Sequence, residues 1–421
     1  MKHIGFVESN RSGSGFDALR AARKLGLHVT FFSCGLDRYH ATPGGTEVLS
    51  TCIDEVVYCA THELAPLLAA VKEVDATRPL DALLSVAEYE VVQTAEVARQ
   101  LGLPGPDPDA IRIARNKAEQ RRRWAERAVP IPAFRAVTTA EQAAQAAEEI
   151  GLPVVVKPVD ETSGANVVRC TTVPEVIDTF STVRSEPTNR RGQARTPEVL
   201  VEECLVGFEV SVEVLAEAGS VRVLGVTDKL VGGGNRFIEL GHSFPTSLPA
   251  PIRDELERAA VAATMAVGFD LGIAHVEIKY TATGPKLIEI NPRPAGDQIT
   301  ELMDRSFGLS TMAMLIRQYL GESVSAIETN PVRGAAIRYV TAPEGVVDSV
   351  TGLEIAAAVP GVCEAVVSVE PGARVNPLRV NEDRIGHVLA TADDPYLAGR
   401  IAEAAAQQIA VHTHREAGET T

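Results

Sequence analysis

Two short runs carry the side chains best suited to chemistry: His275-Val276-Glu277-Ile278-Lys279 and Leu287-Ile288-Glu289-Ile290-Asn291-Pro292-Arg293. Each alternates apolar and polar residues, the pattern of a half-buried strand. The stretch Thr281–Pro285 between them has the length of a hairpin loop. With Lys279 opposite Leu287, Ile278 faces Ile288 and Val276 faces Ile290, which closes an apolar face. The same register sets Glu277 opposite Glu289 and His275 opposite Asn291. Facing carboxylates repel unless a cation lies between them. Two carboxylates and an amide oxygen are hard ligands, suited to Mg2+ or Mn2+ ions that also hold phosphate oxygens. Arg293 follows as a partner for a transferring phosphate or a substrate carboxylate. A surface strand with scattered polar residues would not account for the matched register.

A second cation stands at the end of a strand. Val154-Val155-Val156-Lys157-Pro158 is apolar until Lys157, and Asp160-Glu161-Thr162-Ser163-Gly164-Ala165-Asn166 follows before the apolar Val167-Val168. Strand, small-residue loop and return strand make either a plain hairpin turn or a flap whose N–H groups cover phosphates. A Walker-type loop is excluded, because GxxxxGK[ST] is missing. Glu88 ends the strand around Leu83–Val86, where open α/β sheets place ligand contacts, and a solvated loop carboxylate is the alternative. Ser12-Gly13-Ser14-Gly15 lacks the third glycine of a dinucleotide loop, Ala18 standing in its place, and reads as a tight strand-to-helix turn. His412 and His414 have no third ligand and read as solvated residues of a fraying tail.

The elements that must position these groups fall into four stretches. Residues 1–110 alternate strands and helices, as in a parallel sheet covered on both faces, and end at Leu103-Pro104-Gly105-Pro106-Asp107-Pro108. Residues 111–198 open with a basic helix holding Arg112, Arg115, Lys117, Arg121, Arg122, Arg123 and Arg127, read as a solvated face with an anion site open nearby. They close in a polar segment, Ser185–Pro197, read as a mobile surface loop. Residues 199–330 hold the hairpin and a Gly-rich loop at Val231–Asn235; residues 331–421 form a C-terminal α+β extension with a polar tail. The 421 residues are 45% apolar and 23% charged, a globular composition. A net charge of −16 argues against nucleic acid and anionic membrane as partners. No apolar run reaches the ~18 residues of a membrane span, and the polar start after Val7 does not read as a signal peptide. Six cysteines without a CxxC pair read as reduced thiols of a cytoplasmic protein.

Taken in order, Asn116-Lys117, Lys157-Pro158 with its flap, Glu202-Glu203-Cys204-Leu205-Val206-Gly207-Phe208-Glu209, and Glu277 with Glu289-Ile290-Asn291-Pro292-Arg293 resemble the ATP-grasp superfamily. Within it the hairpin most resembles the bacilysin-type L-amino-acid ligases and carnosine synthase. The resemblance covers residues 111–325 by motif and the N-terminal α/β domain by order. It implies the α/β ATP-grasp fold, α+β in parts, in which two α+β halves grip ATP. Lys117 and Lys157 would hold the phosphates under a flap of Ser163, Gly164 and Ala165. Glu202 and Leu205 would meet adenine and Glu209 the ribose. Glu277, Glu289 and Asn291 would ligate Mg2+ or Mn2+, two ions being expected. Lys229, Gly232-Gly233-Gly234 and Glu239-Leu240-Gly241-His242 sit where relatives carry a lid, with Lys229 on the nucleotide side and His242 toward substrate. Arg293 and His275 would orient the carboxylate or stabilise an oxyanion, and Glu88 would lie near the acceptor amine. The implied reaction is ATP-dependent amide formation between a small carboxylic acid and an amine, through an acyl phosphate, in a homodimer. Biotin-carboxylase-like carboxylation, loading of a carrier thiol and non-catalytic nucleotide binding are the alternatives.

Overall fold

The computed structural model describes all residues except Ser12, Arg190, Asn235 and 416–421. The first sheet is parallel, in the order Glu55–Tyr58, His28–Ser33, His3–Val7, Ala82–Leu84. Its central strand is buried throughout because helices cover both faces. Ile4, Phe6 and Phe31 pack with Leu19 and Ala22 on one face; Val7, Phe32 and Leu83 pack with Leu67 and Val71 on the other. Chain order reverses between His3–Val7 and Ala82–Leu84, so Glu8–Arg11 and Ser85–Glu90 emerge at the switch point where such sheets bind ligands. At Gly15 an added Cβ would lie 2.1 Å from the Asn10 carbonyl oxygen, so that glycine serves the tight turn.

The basic segment is two helices, not one: Pro108–Arg115 and Lys117–Glu126, broken at Asn116, whose side-chain oxygen caps the second by accepting from the Ala118 and Glu119 N–H groups. The break turns Arg115, Lys117 and Arg121 inward, while Arg112, Arg122 and Arg123 stay toward solvent.

An antiparallel sheet follows, ordered Phe134–Val137, Val199–Glu203, Val154–Pro158, Val168–Cys170. Val154, Val156, Val199 and Val201 pack under the helices Ala140–Ile150 and Val173–Ser185, and the period of two turns Val155, Lys157 and Glu202 to the other side. The segment Ser185–Pro197 is not a free loop. Arg195 is buried against Glu161, Thr196 donates to Asp160, and Gln193 donates to the Tyr89 carbonyl. Polar composition alone could not show this, since each partner is distant in sequence.

The third sheet has eight antiparallel strands in the order Gly284–Asn291, Gly272–Thr281, Gly207–Glu217, Ser220–Gly232, Ile238–Phe244, Gly334–Val340, Gly386–Ala392, Val362–Val367. The C-terminal strands therefore extend the same sheet, through Gly241 opposite Arg338 and its neighbours. The hairpin pairs His275 with Asn291, Val276 with Ile290 and Glu277 with Glu289 as expected. A bulge then shifts the ladder, so Ile278 meets Leu287 and Lys279 meets Lys286, not Ile288 and Leu287. The extra residue is Ile288, which lines the cavity while Leu287 and Ile290 stay in the core. Lys229 and His242 pair with each other inside the ladder, so only the tip beyond Gly232 lies outside it. The tail does not fray at the histidines: Ala410–His414 pairs with Gly345–Thr351, and His414 Nδ1 lies 2.7 Å from Asp348. All six cysteines are free, and among the described residues no helix is long and apolar enough to cross a membrane.

Candidate active site

The parallel sheet, the small antiparallel sheet and the large sheet enclose a cavity of about 780 Å3. It is lined by Glu88, Lys117, Lys157, Ser163, Gly164, Ala165, Glu202, Leu205, Glu209, Lys229, His275, Glu277, Glu289, Asn291 and Arg293. His242 is the exception among the expected residues; it is buried behind the wall, with Nε2 3.4 Å from Asp297.

Val155, Leu205 and Ile288 give one arm of the cavity an apolar lining, with Lys157 and Glu202 beside them. Lys157 Nζ lies 2.6 Å from Glu202, which also accepts from Arg121. Burial lowers the Lys157 pKa against the pull of Glu202. Burial would raise that of Glu202, but Arg121 and Lys157 together hold it below the usual carboxylate range. Glu202 thus has its side chain held by two cations and its backbone paired within the sheet between Phe134 and Val155, whereas Leu205 lies past the strand end and lines the cavity.

Lys117 Nζ sits 3.1 Å from Glu289 and donates to the Glu161 carbonyl at 2.8 Å. It joins the Glu277–Glu289 hairpin to the base of the flap. Within that loop Ser163, Gly164 and Asn166 hold φ of 58°, 68° and 58°, and the turns are closed by the Ala165 N–H donating to the Thr162 carbonyl and the Val167 N–H to the Gly164 carbonyl.

Lys229 is 1% exposed and stands among three carboxylates, 2.9 Å from Glu209, 2.5 Å from Glu239 and 2.9 Å from Glu277. Burial disfavours its charge, yet Glu209, Glu239 and Glu277 raise its pKa well above normal. An ammonium therefore occupies the centre of that acidic group. His275 donates or accepts at Glu213, 2.8 Å from Nδ1, and at Glu277, 3.2 Å from Nε2. Burial alone would depress it, but Glu213 and Glu277 lift its pKa to about 10, so it is an imidazolium at neutral pH.

Arg293 is gripped by Glu88, which accepts from its Nε at 3.0 Å and from its Nη2. Glu88 also accepts from Arg115 and, at 2.8 Å, from Thr162 of the flap. Burial opposes ionisation of Glu88, but Arg293 and Arg115 bring its pKa down to about 2. Both its oxygens are engaged by these partners.

Of the three expected metal ligands, Glu289 and Asn291 lie side by side, and Glu277, across the hairpin from Glu289, is held by Lys229 and His275; two carboxylates and an amide are hard donors that suit a divalent cation by chemistry. The Asn291 amide oxygen stands 2.9 Å from Glu289 Oε1 and 3.1 Å from Glu88 Oε1, acceptor against acceptor. With its amide turned, Asn291 donates to both carboxylates. Adjacent ligands of an octahedral ion with ~2.1 Å bonds lie about 3 Å apart.

Several lining residues had no recognisable sequence signal. Arg121 follows Lys117 by one helical turn and was legible only as part of a basic run. Glu239, Asp297 and Arg384 meet across 145 residues, with Arg384 donating to Asp297 at 2.7 Å and to the Glu239 carbonyl at 2.9 Å. Burial and the neighbouring Asp297 raise Glu239 to about 8, against the pull of Lys229.

Family models match three segments: an ATP-grasp N-terminal domain over residues 19–105, an ATP-grasp domain over 150–301, and L-amino acid ligase C-terminal domain 2 over 338–414. An uncharacterized protein of Sinorhizobium fredii is 28% identical over 412 residues, covering 97% of this chain and 82% of that one. An L-arginine-specific L-amino acid ligase of Bacillus subtilis is 20% identical over 352 residues, 79% of this chain and 84% of the relative. The crystal structure of an L-amino acid ligase from Bacillus licheniformis superposes with a TM-score of 0.83 at 21% identity, covering 99% of each chain. The chain therefore carries, in this order on this fold, an ATP-grasp N-terminal domain, an ATP-grasp domain and an L-amino acid ligase C-terminal domain, and its relatives by sequence are ligases of the ATP-grasp type.

Proposed function

We propose that the protein is an ATP-dependent carboxylate–amine ligase. It would join an amino acid or other small carboxylic acid to an amine through an acyl phosphate, releasing ADP and phosphate. The observation that carries this reading is the convergence on one cavity of two buried lysines, the Glu277–Glu289–Asn291 oxygens, the His275 imidazolium and the Arg293 guanidinium.

A carboxylate is a poor electrophile, and its oxygen leaves only once it carries a phosphoryl group. Lys117 and Lys157 would neutralise the phosphates of ATP, under a Ser163–Ala165 flap that would keep water from the labile product. Glu277, Glu289 and Asn291 would hold one or two Mg2+ or Mn2+ ions, which supply charge neutralisation at the phosphate oxygens when bound. Leu205 and Ile288 offer faces for the base, and Glu209 an acceptor for ribose hydroxyls. Attack by the acceptor amine on the acyl carbon forms a tetrahedral oxyanion. Arg293, locked in one orientation by Glu88, would be a donor that needs no reorganisation as that charge develops, whereas His275, held at both ring nitrogens by Glu213 and Glu277, would have to release Glu277 to join it. That attack forms the C–N bond; collapse of the oxyanion then restores the carbonyl and breaks the C–O bond to phosphate, which departs as the amine nitrogen gives up its proton to the leaving phosphate or to solvent.

The test is release of ADP against a panel of carboxylic acids, with and without amines, in the presence of Mg2+. ADP and phosphate in step with amide support the reading; stoichiometric pyrophosphate overturns it. ADP release with bicarbonate alone would turn it to carboxylation. Hydroxylamine in place of the amine should trap a hydroxamate, and Lys157→Ala should suppress that trapping.

A further inference from the structure

Arg293 enters the cavity just past the end of the hairpin, and the segment 294–298 carries the chain from it to the helix Ile299–Phe307. That segment is part of the guanidinium's seat, because the Pro294 carbonyl accepts from Arg293 Nη1 at 2.9 Å. Asp297 and Gln298 follow with φ of 53° and 63°, two consecutive non-glycine residues in the left-handed region. Such backbone crowds Cβ against a carbonyl oxygen and persists only where the surroundings over-determine it.

Here the surroundings come from both ends of the chain. On one side Gln298 lies against Gly13, where an added Cβ would stand 3.3 Å from Gln298 Oε1. On the other, Asp297 is gripped by the C-terminal extension. Arg384, just before the strand Gly386–Ala392, donates through both Nη atoms to the Asp297 carboxylate, one of them at 2.7 Å. Tyr339, on Gly334–Val340, donates its hydroxyl to the Asp297 carbonyl at 2.6 Å, and the Arg384 guanidinium lies over its ring, 3.6 Å from the centroid. Arg384 is fixed in turn by the Asn381 carbonyl, 2.6 Å from Nε, and by the Glu239 carbonyl, 2.9 Å from Nη1. Every nitrogen of the guanidinium is thus engaged. Its side chain is 9% exposed, so solvent screens this forked ion pair little. The extension does not need the pair to stay attached, since the ladder from Gly241 opposite Arg338 to Phe244 opposite Ala335 already joins it to the large sheet.

We propose that Arg384 is a positioning residue for the reaction: through it the C-terminal extension holds Asp297 in its left-handed turn and so sets the segment that seats Arg293. The inference rests on the amide-forming reading above and deepens it, giving the extension a part in catalysis. Arg384 acts through Asp297, not on the substrate, because its donors are already spent.

The experiment compares the wild type with Arg384→Met, Asp297→Asn and the double variant, by hydrogen–deuterium exchange and by steady-state kinetics. In Arg384→Met, exchange in the peptide spanning 293–299 should quicken about tenfold, with Gly334–Val340 and Gly386–Ala392 unchanged. The kcat for amide formation should fall about 10²-fold, as for a misplaced catalytic group. KM for ATP should not move, because Lys157 and Leu205 lie in another arm of the cavity. The double variant should be about as slow as either single one, since the two side chains act as a unit. Losses that multiply in the double variant overturn the proposal. So does faster exchange with kcat unchanged. A kcat that falls together with ATP affinity, with faster exchange in both strands, marks Arg384 as merely structural and also overturns it. Should Arg384→Met fail to fold, Asp297→Asn, which keeps Arg384 over Tyr339, is read in the same way. If no acid and amine yield an amide in the wild type, the ligase reading fails by itself, and exchange still decides the hold on the segment. Quickening confined to 293–299 supports that hold, and an unchanged rate there overturns it.

Discussion

Glu88 shows how far one side chain's meaning depends on its partners. As a carboxylate at a strand end it suggested an amine contact, yet its oxygens are occupied by Arg293, Arg115 and Thr162. Its geometry is that of a residue positioning Arg293. Glu88→Gln keeps the shape but removes the charge that orients two buried guanidiniums. It is expected to lower hydroxylamine trapping and amide formation alike, by roughly 10²-fold. Coupling impaired with trapping spared would instead return Glu88 to the amine. Glu289 is separable from folding, since it lies on the cavity side of the bulged strand, opposite Leu287 and Ile290 of the core. Glu289→Ala should cost about 10²–10³-fold or more in turnover, with the thermal midpoint nearly unchanged. A lost cooperative transition would mark it as structural.

Two elements have roles that follow from what they dock against. The 186–197 segment ties the flap base to the N-terminal domain: Arg195 reaches Glu161 and Glu186 at 2.6 and 2.7 Å, and Glu161 accepts from Tyr89. Arg195→Met leaves Glu161 buried without its cation, and the expected result is a weakened flap, seen as a KM for ATP raised about tenfold. An unaltered KM for ATP would mean that the segment does not hold the flap. At the junction of the helices Ile299–Phe307 and Thr311–Tyr319, Asp304 accepts from the Thr311 N–H and hydroxyl, both at 2.7 Å. Burial, with Glu301 and Asp17 adding to it against Thr311, raises its pKa to about 7 from an ordinary 3.8. A raised folded-state pKa gives stability that is full below pH ~4 and is lost as pH rises through ~7. Asp304→Asn should therefore flatten the fall in thermal midpoint between pH 5 and pH 8. An equal fall in the variant would show that Asp304 does not titrate there.

On the scale of the whole molecule, three of the sheets contribute to the cavity wall, so a nucleotide that bridges them should stabilise the fold. At a hundredfold excess over Kd the gain is about 2.7 kcal/mol, a rise of several degrees in thermal midpoint for a chain of this size. ATP with Mg2+ should give that rise and ATP with a chelator a smaller one. No shift at millimolar ATP with Mg2+ would contradict nucleotide binding at this cavity.

The sequence by itself determined the alternating strands, the hairpin that sets Glu277 opposite Glu289, and the order of motifs that identifies the superfamily. Those are local: a period of two specifies a face, and a one-residue slip would turn every apolar side chain outward. Tertiary structure decided what pairs across distance. The bulge that turns Ile288 into the cavity needs a partner strand to define it. The inward face of the basic helices is set by Glu202 and Glu289, which lie far along the chain. The docking of a polar segment through Arg195, and the entry of Arg384 beside Asp297, depend on ion pairs whose members share no periodicity. Burial patterns are written residue by residue along the chain, whereas the partner of a buried charge is chosen only when the sheets close around it.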